Sequence, residues 1–268
     1  MSLSLRLLAR ALPLLLSGFG PIAAQQPAGP WPEDSIERPK PPVERAPAEQ
    51  LPAAAPAPPG AIALFDGDDL SWWEKWDETP AGWRVADGNM EIVKGVGGIQ
   101  TRIGFGDVRL HIEWAWPKPA LGTAQDRGNS GVFFMGQYVV QVLDSYGNET
   151  YADGQVAALF GQYPPRVNVS RPPGEWQSFD IEFRRPRFDS TGMVRDSARV
   201  TVWHNGVLVH ANVTLLGSTS HLRRDPCKAH ADQLPISLAD ELARRWAKNW
   251  ADVKFCSEAC RNTGAVRG

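Results

Sequence analysis

Excess charge of either sign is missing from this chain: 28 Lys and Arg stand against 30 Asp and Glu, leaving a formal net charge of -2, and no long basic run crosses its centre. That balance gives no electrostatic reason to expect nucleic acid or an anionic membrane as a partner. Cysteine is scarce as well. Cys227, Cys256 and Cys260 are the only three, too few for a four-ligand zinc site unless a histidine such as His221 or His230 joins them. A membrane-length apolar run is absent: the stretch from Ala11 to about Ala23 is short and is broken by Pro13, Gly18, Gly20 and Pro21. Between Ala61 and about Leu216 no segment holds a helical period for three turns, and no internal repeat is found.

What is present at the start reads as a leader. Arg6 and Arg10 precede the apolar run, and small residues follow before Gln25. The pattern predicts a secretory signal over residues 1–24, and hence a periplasmic or secreted protein. Residues 25–60 are dominated by Pro and Ala, which offer little apolar surface to offset the entropy of ordering, and predict a semi-extended linker.

The folded region predicts an all-β sandwich. Short apolar runs alternate with Gly, Asp, Asn and Pro. Asp87-Gly88 joins "WRVA" to "NMEIV" and Asn205-Gly206 joins "RVTVWH" to "VLVHANV", both dipeptides that favour two-residue hairpin turns. Met135-Gly136-Gln137 separates two runs rich in Val, Phe and Tyr and predicts a third hairpin. From Val108 to Trp116 a period of two sets Val108, Leu110, Ile112, Trp114 and Trp116 on one face and Arg109, His111, Glu113 and Ala115 on the other. The first face is core. The second is either a solvated surface or part of a site on a concave sheet, and Asn129, Ser130, Gln141 and Asp144 pose the same choice. The 11 Trp suit sugar stacking by their flat apolar rings, although Trp176 and Trp203, each in an apolar strand, read as core. His111 and His204 have metal-ligating chemistry, but no spaced His/Asp cluster accompanies them.

Seven motifs occur in order: "ALFDGDDLSWW", "GWRVADGNMEI", "RLHIEW", "GNSGVFFMGQYVVQVLDS", "AALFGQYPP", "RPPGEWQSFDIEF" and "VTVWHNGVLV". Together they resemble the 3-keto-disaccharide hydrolase domain family, from about Ala61 to Leu238. The resemblance implies a concanavalin-like jelly-roll sandwich, exported by bacteria, that acts on glucosides already oxidised at C3. A C3 ketone acidifies the C2 proton, so cleavage can run by elimination and hydration. That route needs a base at C2 and an electrophile at the C3 oxygen, not the carboxylate pair of ordinary glycosidases. On this reading Glu113 is the base, or a ligand to a divalent cation polarising the ketone; Asp144 is the second carboxylate; Asn129, Gln141 and Arg171 bind sugar oxygens. Each also has a plainer role. Asn129 can shape the turn after Gly128, Asp144 can cap the loop "DSYGN", and Arg171 can pair with Glu175. A non-catalytic carbohydrate-binding module on the same sandwich is the alternative function.

The end of the chain departs from the family. The resemblance implies a final strand entered by Leu-Gln-Asp-His-Gly; here "QLPISL" runs instead into "ADELARRWAKNWADVKFCSEACR". Leu242, Trp246, Trp250 and Val253 at spacings of three and four predict a helical tail over 239–268, packed loosely on, or detached from, a sandwich weakened by the lost strand. The tail resembles half of a small zinc-ribbon-like bacterial protein. It reads as the join of two open reading frames, or as a segment closed by a disulfide of Cys256 with Cys260 or Cys227.

Overall fold

A computed structural model describes residues 30–48, 61–93, 95–219, 232–239 and 254–262. The expected leader, Cys227, His221 and His230, and the Leu242–Val253 stripe lie outside these residues. The strands in chain order begin with β1 (Trp73–Glu74), β2 (Arg84–Ala86), β3 (Asn89–Glu91), β4 (Ile99–Phe105) and β5 (Val108–Ala115). β6 (Asn129–Phe134), β7 (Tyr138–Leu143), β8 (Trp176–Arg184), β9 (Arg187–Phe188) and β10 (Val194–Asp196) follow. β11 (Arg199–His204), β12 (Val207–Thr214), β13 (Leu234–Ala239) and β14 (Lys254–Asn262) complete the set. They form a five-stranded sheet ordered β1-β4-β13-β6-β7 and a seven-stranded sheet ordered β12-β11-β8-β5-β14-β3-β2, with β9 and β10 as a separate ribbon. All named pairs are antiparallel.

The three hairpins sit where their turn chemistry sets them. Asp87 and Gly88 take φ of 52° and 72°, and Asn205 and Gly206 take 49° and 79°, the left-handed pair that a two-residue turn needs to match strand twist. Met135 and Gly136 are likewise left-handed, and Gln137 N donates to Phe134 O to close the third hairpin. The strands they join are rich in Val, Ile, Phe and Tyr, which fit a pleated, half-buried surface.

Two inner faces make the core. β5 contributes Val108, Leu110, Ile112 and Trp114, β8 contributes Phe179, Ile181 and Phe183, and the opposing sheet sends in Val132, Phe134, Tyr138, Val140 and Val142. Phe134 stacks on Phe183 with ring centres 4.7 Å apart across the two sheets. Burial of large aromatic faces on this scale is the main drive for closing the sandwich.

Two expectations are corrected. Residues 254–262 are a strand, not part of a helix: β14 pairs with β5 from Lys254↔Ala115 to Asn262↔Val108, and with β3 at Lys254↔Glu91 and Phe255↔Met90. Without it the facing edges of β5 and β3 would leave N–H and C=O groups unpaired. The missing family-like final strand therefore leaves no gap here. Similarly, residues 30–48 are extended but docked. Val43 bridges Asn168, Glu44 N donates to Asn168 O, and Asn168 N donates to Pro42 O. Arg38, fully buried, pairs with the fully buried Asp153 at 3.3 Å and donates to Gln162 O at 3.0 Å.

A buried ion pair is costly to break, because the partner left behind keeps its charge without water. Arg38→Met should lower stability by about 3–5 kcal/mol in chemical denaturation, and Asp153→Asn added to it should recover a large part. An Arg38→Met midpoint equal to wild type would show that the segment is only laid on the surface.

Candidate functional site

The pleat sends alternate residues of β5 to the outer side of the seven-stranded sheet, where Arg109, His111 and Glu113 meet the outward residues of β8. His111 faces Asp180, Glu113 faces Ser178 and Arg109 faces Glu182 in strand register. On β11 Trp203 faces Asp180 in turn, set between the fully buried Val202 and His204. One row across three strands thus reads Trp203, Asp180, His111. Trp176, two residues before Ser178 on β8, shares the face and is half-buried. Contrary to the sequence reading, neither Trp176 nor Trp203 belongs to the core, because each has the outward parity of its strand.

His111 is held at both nitrogens. Nδ1 lies 2.8 Å from Asp180 Oδ1 and Nε2 lies 3.3 Å from Glu113 Oε1. Burial alone would depress its pKa, but the two carboxylates outweigh burial and push it up to about 10. The group is therefore an imidazolium at neutral pH, donating to both sides. Access differs sharply between the acids: the Asp180 side chain is 53% exposed and the Glu113 side chain 8%. Glu113 accordingly lies beneath His111 and positions it, while Asp180 is the carboxylate that faces solvent. Ser178 Oγ, buried opposite Glu113, has no hydrogen-bond partner among the described residues.

The remaining expected residues lie elsewhere. Asn129 and Gln141 are on the outer side of the five-stranded sheet, since their strand neighbours Val132, Phe134, Val140 and Val142 fill the core. The core separates them from Glu113. The segment after β7 folds back over them: Gln141 N donates to Ala158 O, Ala157 N to Gln141 O, and Val156 N to Ser145 Oγ. Gln141 Nε2 donates to Asn129 Oδ1 at 2.7 Å, Asn129 Nδ2 to Gln125 O at 3.0 Å, and Gln125 Nε2 to Thr150 Oγ1 at 2.8 Å. This is a sealed amide chain, with Asn129 1% and Gln141 3% exposed. It ties the 3-10 turn Ala124–Asp126 to the covering segment rather than presenting groups to a ligand.

Asp144 belongs to the same buried layer. Its Oδ2 accepts from Arg127 Nε at 2.7 Å, its Oδ1 accepts from Tyr146 N, and its backbone carbonyl accepts from Asn148 Nδ2. Burial holds its carboxyl above the usual range despite Arg127. The loop-capping role is the one this geometry fits. Arg171 donates to Trp176 O and Pro47 O, not to Glu175, and clamps the docked N-terminal segment to the start of β8. His204 is a core residue stacked on Trp114 at 5.9 Å, and burial, with Arg171 nearby, lowers it to about 3.

Among the described residues no group of three or more His, Cys, Asp and Glu is arranged to hold a metal. The His111–Asp180 contact joins residues 69 apart and depends on strand order, which no local pattern encodes. The signal available was the pair of acids Asp180 and Glu182, alternating with Phe179, Ile181 and Phe183 in "WQSFDIEF".

Comparison with known proteins agrees with this architecture. The model of the family described as "3-keto-alpha-glucoside-1,2-lyase-like domain" matches residues 60–251, running past Leu238. A second model, "Uncharacterized protein conserved in bacteria", matches residues 241–263. A candidate glycosyl hydrolase from Parabacteroides distasonis ATCC 8503, solved by crystallography, is 36% identical, with 80% of this chain and 93% of that one aligned at a TM-score of 0.71. Another candidate glycosyl hydrolase from the same organism is 16% identical over 76% of this chain and 94% of that one, with a TM-score of 0.53, and supports the fold. No curated protein matches the chain.

The His111 pairing has a direct readout. Its folded pKa lies above the ordinary 6.5, so its contribution to stability is complete below about pH 6.5 and is lost as the pH rises through about 10. An imidazole NMR titration should find the midpoint near 10, and Asp180→Asn or Glu113→Gln should each lower it. A midpoint near 6.5 in the wild-type protein would contradict the arrangement.

Proposed function

Because the chain belongs to the 3-keto-alpha-glucoside-1,2-lyase-like domain family, we propose that it cleaves 3-keto-glucosides on the outer face of its seven-stranded sheet. A carbohydrate-active, glycosyl-hydrolase-like protein of the all-β sandwich class is the broader reading. The observation that carries the finer one is the solvent-facing Asp180 paired at 2.8 Å with a His111 imidazolium, beside the half-buried ring of Trp203.

Each part has a use in elimination. Trp203 and Trp176 offer flat apolar rings to the sugar, with an indole N–H for its hydroxyls. Asp180 withdraws the C2 proton, and the C2–H electrons form the C1–C2 double bond as the C1–O bond breaks. The positive charge of His111 stabilises the C3 oxygen, where enolate charge develops. The leaving oxygen takes a proton from water, the resulting hydroxide adds at C1, and Asp180 returns its proton to C2. The net change is hydrolysis. Glu113 is a positioning residue in this scheme: it keeps the imidazolium charged and oriented from below.

We further propose export to the periplasm or beyond, on the strength of Arg6 and Arg10 preceding the apolar run.

Aglycone release from a chromogenic 3-keto-glucoside tests the reading. Asp180→Asn should reduce kcat about 10²–10⁴-fold, and Trp203→Ala should mainly raise KM. Glu113→Gln should lower the rate together with the His111 titration midpoint. Full release by Asp180→Asn would refute the assignment. Calorimetric binding of the sugar by a wild-type protein that shows no release would make it a binding module instead.

A further inference from the structure

The same outer face continues away from Trp203 toward a cleft of about 420 Å³ at the end of β8. Five arginines and three carboxylates line it, among them Arg109, Arg184, Arg199 and Glu182. Most of these charges have ion-pair partners. Arg109 pairs with Glu182, Arg187 with Asp107 at 2.7 Å, and Arg185 with Asp232 at 2.5 Å. Asp196, the last lining acid, is taken by Arg195 at 2.9 Å.

Arg184 and Arg199 are left over. They are direct cross-strand partners on β8 and β11. Arg199 meets only the Asn212 amide oxygen and backbone carbonyl, and Arg184 has no ion-pair or hydrogen-bond partner among the described residues. Like charges directly opposite on a sheet are destabilising. Two guanidinium forks side by side, with no protein carboxylate between them, become favourable once a planar or tetrahedral oxyanion bridges both.

The pair shares the outward parity of Asp180 and Trp203, four residues further along each strand, about 13 Å at ~3.3 Å per residue. A ligand lying along the sheet from Trp203 would place its distal group there. We propose that Arg184 and Arg199 form an anion subsite that recognises a carboxylate or sulfate carried by a sugar, so that this protein selects acidic glycosides. The substrate role rests on the proposed function above; the binding role does not.

The test is binding without turnover. At low salt, titrate the protein with cellobiouronic acid, with neutral cellobiose and with inorganic sulfate. The acidic disaccharide should bind about tenfold tighter than the neutral one. Arg184→Gln with Arg199→Gln should abolish that preference and leave cellobiose binding unchanged. Equal affinities in the wild type, or a preference kept by the double variant, would overturn the subsite. Sulfate bound as tightly as the acidic disaccharide would overturn recognition of a sugar. A wild type that shows the preference yet releases no aglycone from any 3-keto-glucoside would refute the catalytic reading while upholding the subsite.

Discussion

Successive side chains on a strand point to opposite sides of the sheet, and in β5 this alternation governs the placement of Arg109, His111 and Glu113. Ile112 and Trp114 are fixed in the core by contacts with β8 and β11, so His111 and Glu113 must point outward. The opposing sheet obeys the same constraint with its own inner face. Gln141, lying between Val140 and Val142, is therefore driven to the far side of the molecule. A one-residue slip in either strand would exchange core and surface residues, at the loss of several fully buried apolar side chains.

The consequence is a division of labour between the two outer surfaces. On the five-stranded side, polar residues are consumed in holding the chain that covers them. The amide chain of Asn129, Gln141 and Gln125 and the Arg127–Asp144 pair hold it together with the apolar contact of Phe133, Val139 and Phe160. On the seven-stranded side, the polar row retains a solvent-facing carboxylate, a half-covered imidazolium and two half-buried indoles. A buried network with its hydrogen bonds satisfied confers rigidity; a row with access to solvent is the one a sugar can reach.

What could be read from the sequence follows from the range of the signal. The hairpins at Asp87-Gly88 and Asn205-Gly206 and the two faces of β5 are local, and the residues state them outright. Glu113 was legible as an outward acid for the same reason. Its burial under His111 was not, because that depends on Asp180 from a strand 69 residues from His111 in sequence. Asn129, Gln141 and Asp144 looked convergent because they are close in sequence, and they do converge, but under a covering segment whose path no local pattern gives. Arg38 lies in a Pro-rich stretch with the composition of a spacer, and its value comes from partners more than a hundred residues away, Asp153 and Gln162 among them. At 254–262 the chain fills the need of two strand edges for a partner, whereas the stripe that pointed to a helix ends at Val253, outside the described residues.

The central claim is that sugar binds on the outer face of the seven-stranded sheet. Side-chain NMR with a non-cleavable C-glycoside of 3-keto-glucose measures this most directly. The account predicts that the Trp203 indole and His111 imidazole resonances shift on titration while the Asn129 and Gln141 side-chain amides stay in place. Shifts confined to Asn129 and Gln141, with Trp203 and His111 unmoved, would contradict it and put the site on the opposite side of the sandwich.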